Sequence, residues 1–157
     1  MSKSYLNNHI IRGLRNNNPG NLVKTRLSWV GKLKNGKDPR FEQFEALKYG
    51  IRAQMMDVIN DIKKGKNTIT KLIQEYAPAF ENDTNGYINN VAKSVNLDPN
   101  EVIKTIDTKF ILALSRAIYK VELGKYHLDI SDLDIKDGFN LLPSTLSSST
   151  LIIKKKD

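Results

Sequence analysis

Apolar residues recur at helical spacing from Leu47 to Lys64. Ile51, Met55, Val58, Ile59 and Ile62 mark one face of a helix that Gly65 stops. The same spacing predicts a second helix from an Asn67 or Thr68 cap to Tyr76, ended by Pro78. A third opens at Asp83 or Thr84, with Tyr87, Ile88, Val91 and Val95 on its apolar side. Asp98-Pro99 places a cap and an N1 proline before a short helix holding Val102, Ile103 and Ile106. The stretch TKFILALSRAIYKVELG predicts the most hydrophobic helix, from Asp107 or Thr108 to Gly124, and residues 131–142 predict a last short one.

Ahead of these helices the pattern is different. Residues 1–12 read as a lead-in or a first short helix. Residues 13–25, GLRNNNPGNLVKT, read as turns, because clustered asparagines and Pro19-Gly20 fit neither a helix nor a central strand. A β-hairpin follows, with Leu27, Trp29 and Val30 on the outgoing arm, Asn35-Gly36 at the turn, and Phe41 and Phe44 on the return. The pattern as a whole predicts a mainly α (α+β) fold with one small β-hairpin. It gives one domain over residues 1–142 and a flexible Ser/Lys-rich tail over 143–157.

Composition narrows the chemistry. The chain has 157 residues, enough for one compact core, and its 39% hydrophobic and 27% charged content is that of an ordinary globular protein. No apolar run reaches the roughly 20 residues that cross a bilayer, and the N-terminus has no signal-peptide pattern. With no cysteine and two histidines, His9 and His127, both read as surface residues, neither a thiol nucleophile nor a multi-histidine metal site can be built. No metal or cofactor is expected, since Walker and GxGxxG loops are absent too. The formal charge of +8 suits an anionic partner. It is dispersed, however, and neither a helix-turn-helix nor a basic strip interleaved with aromatics points to nucleic acid.

Two segments carry a resemblance. RGLRNNNPGNL at 12–22 is followed by Trp29, Gly31, FEQF at 41–44 and YGIRA at 49–53; YAPAFENDTNGYINNVA spans 76–92. Together they resemble a family of small phage and prophage virion proteins associated with peptidoglycan degradation, over about residues 12–142. They are also distantly similar to bacterial wall glucosaminidases of the lysozyme superfamily. In those enzymes a glutamate ends a hydrophobic helix, followed by an asparagine-rich turn, a Trp-x-Gly hairpin and a later Thr-Asp…Tyr segment. This chain departs from that order: no acidic residue precedes Asp38.

A helix of the right character lies at the other end. Ile111, Ser115, Ile118 and Glu122 fall on one line of it, and its VELG ending resembles the Glu-x-Gly ending of lysozyme-like enzymes. The resemblance therefore implies a circularly permuted lysozyme-like domain whose chain ends lie close together, with Glu122 as general acid. Cleaving a glycosidic bond requires a protonated carboxyl at the leaving oxygen. A negative charge in the last turn of a helix is also disfavoured by the helix dipole. The alternative for Glu122 is a surface glutamate paired with Lys125 or Arg116.

A second carboxylate would come from Glu42, Glu45 or Asp38 near the hairpin, or from Glu81 or Asp83 further on. Each could equally be solvated, and Asp83 could cap a helix. With no second carboxylate in place, a lytic transglycosylase is the more natural chemistry. Asn16, Asn17, Asn18 and Asn21 could bind sugar hydroxyls and N-acetyl groups or could shape the turn. Trp29 could stack on a sugar or plug the core. Tyr87 could orient the acid or pack at helical spacing with Val91. Arg15 and Arg52 could meet acidic groups or muramyl carboxylates, or face solvent.

The resemblance implies a virion enzyme acting on peptidoglycan glycan strands at the host wall, in the periplasm, alone or beside other virion proteins. It implies a lytic transglycosylase or a muramidase- or glucosaminidase-like glycosidase, without metal or cofactor, and no nucleic-acid partner. The alternative is a non-catalytic structural or wall-binding virion protein on the same fold.

Overall fold

A computed structural model describes residues 2–78 and 83–143, and the backbone of 153–154. Among the described residues the fold is mainly helical, as the periodicity predicts. Its helices are α1 (Arg12–Arg15), α2 (Leu47–Lys63), α3 (Ile69–Tyr76), α4 (Thr84–Val95), α5 (Thr108–Leu123) and α6 (Asp132–Asn140), with a 3-10 turn over Gly124–Asp129. Side-chain caps explain the starts of α3, α4 and α6, the first two as the sequence predicts. The Thr68 side chain accepts from Lys71 N, and the Asp83 carboxylate accepts from Gly86 N. Ser131 and Asp134 close a reciprocal capping box on α6.

The chain divides into two compact units, residues 1–55 with 118–142 and residues 56–117 with 143–157. Helices α2 and α5 each pass from one unit into the other. In the first unit, Leu14, Phe44, Leu47, Ile51, Tyr119 and Phe139 are almost wholly buried. Its two sequence ends meet: Lys3 pairs with Asp134 at 2.7 Å, Tyr5 Oη donates to the Asp129 carbonyl at 2.7 Å, and Leu47 N donates to the Lys3 carbonyl at 2.9 Å. The second unit is built on Val58, Ile59, Ile69, Leu72, Val91 and Ile111. The tail expected over 143–157 lies mostly outside the described residues.

Two sequence expectations are corrected. No hairpin forms between 27 and 44. The returning segment makes single antiparallel bridges to two different places, Phe41 to Val23 and Phe44 to Lys32. The backbone of the asparagine turn competes for the same arm, since Phe44 N donates to the Asn16 carbonyl at 3.0 Å and Glu42 N to the Leu22 carbonyl at 3.0 Å.

The helix expected after Asp98-Pro99 is also absent. Asp98 caps a single turn, accepting from Asn100 N at 2.9 Å, and its amide donates to the Glu101 carboxylate at 3.2 Å. The following backbone is claimed by tertiary partners. Ile103 N donates to the Asn67 carbonyl at 2.8 Å, and the Pro99 carbonyl accepts from Thr70 N at 3.0 Å. Ile106–Asp107 then forms strand β1, paired in parallel with β2 (Ile153–Lys154).

Candidate active site

The asparagine turn is held by side-chain hydrogen bonds within the first unit. Asn17 and Asn21 take left-handed backbone with φ of 51° and 52°, which asparagine tolerates better than most residues. The Asn17 amide donates to Ser4 Oγ at 2.8 Å and the Phe44 carbonyl at 3.0 Å, and its oxygen accepts from Tyr5 N at 2.8 Å. The Asn18 amide donates to the Leu22 and Glu42 carbonyls, both at 3.0 Å, and its oxygen accepts from Leu22 N at 2.9 Å. Asn16 donates to Asp38 at 2.9 Å and accepts from Gln43 Nε2 at 2.9 Å. All three are buried. Their polar ends are taken up inside the fold, which is the turn-building reading of these residues.

Asn21 behaves differently. It is half-buried, and its Nδ2 donates to Glu122 Oε1 at 2.8 Å. Glu122 stands near the end of α5, half-buried, after three fully buried residues of the same helical line, Ile111, Ser115 and Ile118. Gly13 makes the approach possible, since a Cβ there would lie 2.7 Å from Leu123 Cδ2 and 3.0 Å from Asn21 Oδ1. The turn and the end of the apolar helix are thus brought together.

Three of the other candidate carboxylates, Glu42, Asp38 and Asp83, have structural partners. Glu42 is 1% exposed, paired with Lys32 Nζ at 3.0 Å, and accepts from Thr25 N at 3.2 Å and Thr25 Oγ1 at 3.3 Å. Asp38 takes a two-pronged contact from Arg12, Nε at 2.7 Å and Nη2 at 2.8 Å. The guanidinium, with help from Asn16 and the Phe41 and Arg40 amides, outweighs burial and holds the Asp38 carboxyl well below the usual carboxylate range. Glu45 is exposed. Asp83 caps α4, and Glu81 lies outside the described residues.

Arg15 ties the lead-in segment down, donating to the His9 and Ile10 carbonyls at 3.1 and 2.9 Å. Arg52 Nε donates to the Leu141 carbonyl at 3.3 Å. Trp29 is half-buried, neither a full core plug nor a free face. Tyr87 is buried on α4 in the second unit. Two clefts of about 450 and 580 Å³ are lined by Ser2, Lys3, Leu47, Lys48 and Asp134 in one case and by Val95, Leu97, Val102 and Phe110 in the other. Neither includes Glu122.

Sequence reasoning missed two features here. His9 is not a surface residue: its ring accepts from Ile11 N at 2.9 Å, meets Asp129 at 2.8 Å and lies edge-on between Tyr5 and Tyr126. Lys32 turns inward onto Glu42, although it stands among lysines that face solvent. No local signal separates such residues from their neighbours, because the partners are remote in sequence.

No protein-family profile matches the chain. Among curated proteins it is similar to a phage protein, Protein P5 of Pseudoalteromonas phage PM2. The two are 36% identical over 138 residues, which span 84% of this chain and 82% of that protein.

Proposed function

We propose that this chain, which belongs to the family of Protein P5 of Pseudoalteromonas phage PM2, is a virion protein that cleaves the glycan strand of peptidoglycan. The observation that carries this reading is the hydrogen bond from Asn21 Nδ2 to Glu122 Oε1. It joins the asparagine turn to a helix-ending glutamate, the pairing that a permuted lysozyme-like site requires. The meeting of residues 3–5 with 129–134 supports the permutation, because a cut between the acid helix and the asparagine turn leaves the present chain ends side by side.

The reaction that suits these residues is lytic transglycosylation. Glu42 and Asp38 are each engaged by a cation, so a second carboxylate acting as base or nucleophile is not favoured among them. Glu122 gives its proton to the leaving glycosidic oxygen as the C1–O bond breaks. The sugar's own 6-hydroxyl then bonds to C1, and its proton returns to Glu122. One carboxyl serves as acid and then base, and no water is consumed. Asn21 holds the carboxyl from one side through its hydrogen bond to Oε1.

The test is clearing of purified peptidoglycan by the wild type and by Glu122→Gln, followed by mass spectrometry of the fragments. The expected result is clearing by the wild type alone, with anhydro-sugar ends. Full activity in Glu122→Gln would remove the acid assignment. Reducing ends whose release is lost in Glu45→Gln would turn the mechanism into a two-carboxylate hydrolysis.

A second reading is a structural or wall-binding virion protein without turnover, in which the Asn21–Glu122 hydrogen bond serves to hold the asparagine turn against the end of α5. Binding of the wild type to peptidoglycan without any clearing would establish it.

A further inference from the structure

The segment 23–41 carries surface that glycan cleavage does not use. It holds the cations Lys24, Arg26, Lys32, Lys34, Lys37 and Arg40 against one acid, Asp38, which Arg12 already engages. Lys32 points inward to Glu42, while the other five cationic residues are exposed. Large apolar side chains are exposed in the same stretch: Val23 at 51%, Leu27 at 55% and Val30 at 49%. Between the last two in sequence stands Trp29, the chain's only tryptophan, half-buried.

Hydrogen bonds close this segment into one lobe. Lys24 N donates to the Arg40 carbonyl at 2.8 Å and Lys24 Nζ to the Gly36 carbonyl at 3.2 Å. Lys32 Nζ gathers the Thr25 and Leu27 carbonyls at 2.8 and 2.9 Å. Leu33 N reaches the Gln43 carbonyl at 2.9 Å. The exposed Glu45 stands at the border, its backbone amide on the Gly31 carbonyl at 2.9 Å.

Single exposed apolar residues need no explanation, but three of them between positions 23 and 30, in a segment this cationic, do. Aliphatic tips, an indole and a set of lysines and arginines together fit a bilayer interface. The tips enter the acyl boundary, the indole lies at headgroup level, and the cations meet anionic phosphates. A glycan would be gripped by flat aromatic faces and planar hydrogen-bonding groups, which Val23, Leu27 and Val30 do not supply. Nucleic acid would neutralise the cations and leave those three side chains in water.

We propose that the 23–41 lobe docks on an anionic phospholipid surface, with Leu27 and Val30 entering between the headgroups. This goes beyond the cleavage reaction and does not depend on it. Flotation of the full chain with phosphatidylcholine vesicles, with and without phosphatidylglycerol, tests it. The chain should float with the anionic vesicles only, and the emission of Trp29 should move to the blue on binding.

Leu27→Ser with Val30→Ser should lower partitioning at least about tenfold. Lys34→Gln with Lys37→Gln should lower it by about tenfold or more. Glu122→Gln should float as the wild type does, so the two proposals fail separately. If the serine variant does not fold, the lysine variant and quenching of Trp29 by lipid-borne quenchers decide the question. The proposal is overturned if folded wild type does not float, or if the serine variant floats undiminished. Retention on peptidoglycan or DNA with no Trp29 shift on vesicles would overturn it too.

Discussion

The side-chain amide of Asn21 donates to Glu122 across 2.8 Å, linking two residues 101 positions apart in the chain. Asn21 has two separable duties, a left-handed backbone and a hydrogen bond. Glycine meets the first without steric cost and cannot meet the second. Asn21→Gly should therefore stay within about 1 kcal/mol of wild-type stability while glycan turnover falls on the order of 100-fold. Asn21→Ala should lose a further ~1 kcal/mol, because its Cβ is strained at positive φ. Denaturant melts beside turnover measurements check this; equal turnover in Asn21→Gly and wild type would leave the bond without a catalytic part.

Gly50 lies in the first turn of α2 against the backbone of the asparagine turn. A Cβ at Gly50 would overlap the Asn17 carbonyl oxygen. The obstacle is backbone inside a fully bonded turn, so it cannot swing aside as a side-chain end would. Gly50→Ala should destabilise by about 3 kcal/mol or more in urea unfolding. A cost under ~0.5 kcal/mol would mean that the turn shifts freely.

The Lys32–Glu42 pair joins a half-buried ammonium to a buried carboxylate, and removing the lysine strands the acid. Lys32→Met should cost about 3 kcal/mol, because Glu42, 1% exposed, loses its cation and keeps Thr25 as its side-chain partner among the described residues. Lys32→Met combined with Glu42→Leu should recover part of that loss. Equilibrium unfolding of the single and double variants gives the coupling, and strict additivity would refute it.

Asp57 on α2 sets a pH dependence. Burial, reinforced by Asp61 and Glu75 and opposed by Lys64, pushes its carboxyl up to about 7 from an ordinary 3.8. The folded state then holds the proton more tightly than the unfolded one. Its contribution to stability is complete below the ordinary value and is lost as pH rises through the raised one. Unfolding free energy should fall between roughly pH 4 and 7 by at most about 4 kcal/mol from this group. Asp57→Asn should flatten most of that slope and be the more stable protein near ~pH 8. Some slope remains through Asp61, whose carboxyl is raised by burial and by Glu75. An unchanged slope in Asp57→Asn would place the titrating group elsewhere.

The sequence by itself determined what depends on neighbours three and four residues apart. The course of α2 follows from its apolar spacing, and the starts of α3 and α4 follow from local caps whose bonds are made by nearby residues. The mainly α class follows from the same signals, and the asparagine turn is legible because its left-handed positions need asparagine or glycine.

Tertiary structure decided the remainder, because the deciding partners are distant in sequence. It broke the expected hairpin into two single bridges and replaced the helix after Asp98 with an extended segment bonded to Asn67. It buried Glu42 on Lys32, joined Asp38 to Arg12 and placed His9 on Asp129. A local pattern cannot say which of several identical charges finds a remote partner. Of the candidate acids near the turn, Glu42 and Asp38 became structural, and Glu122 met Asn21 because the last turn of α5 folds back onto the first turn of the chain.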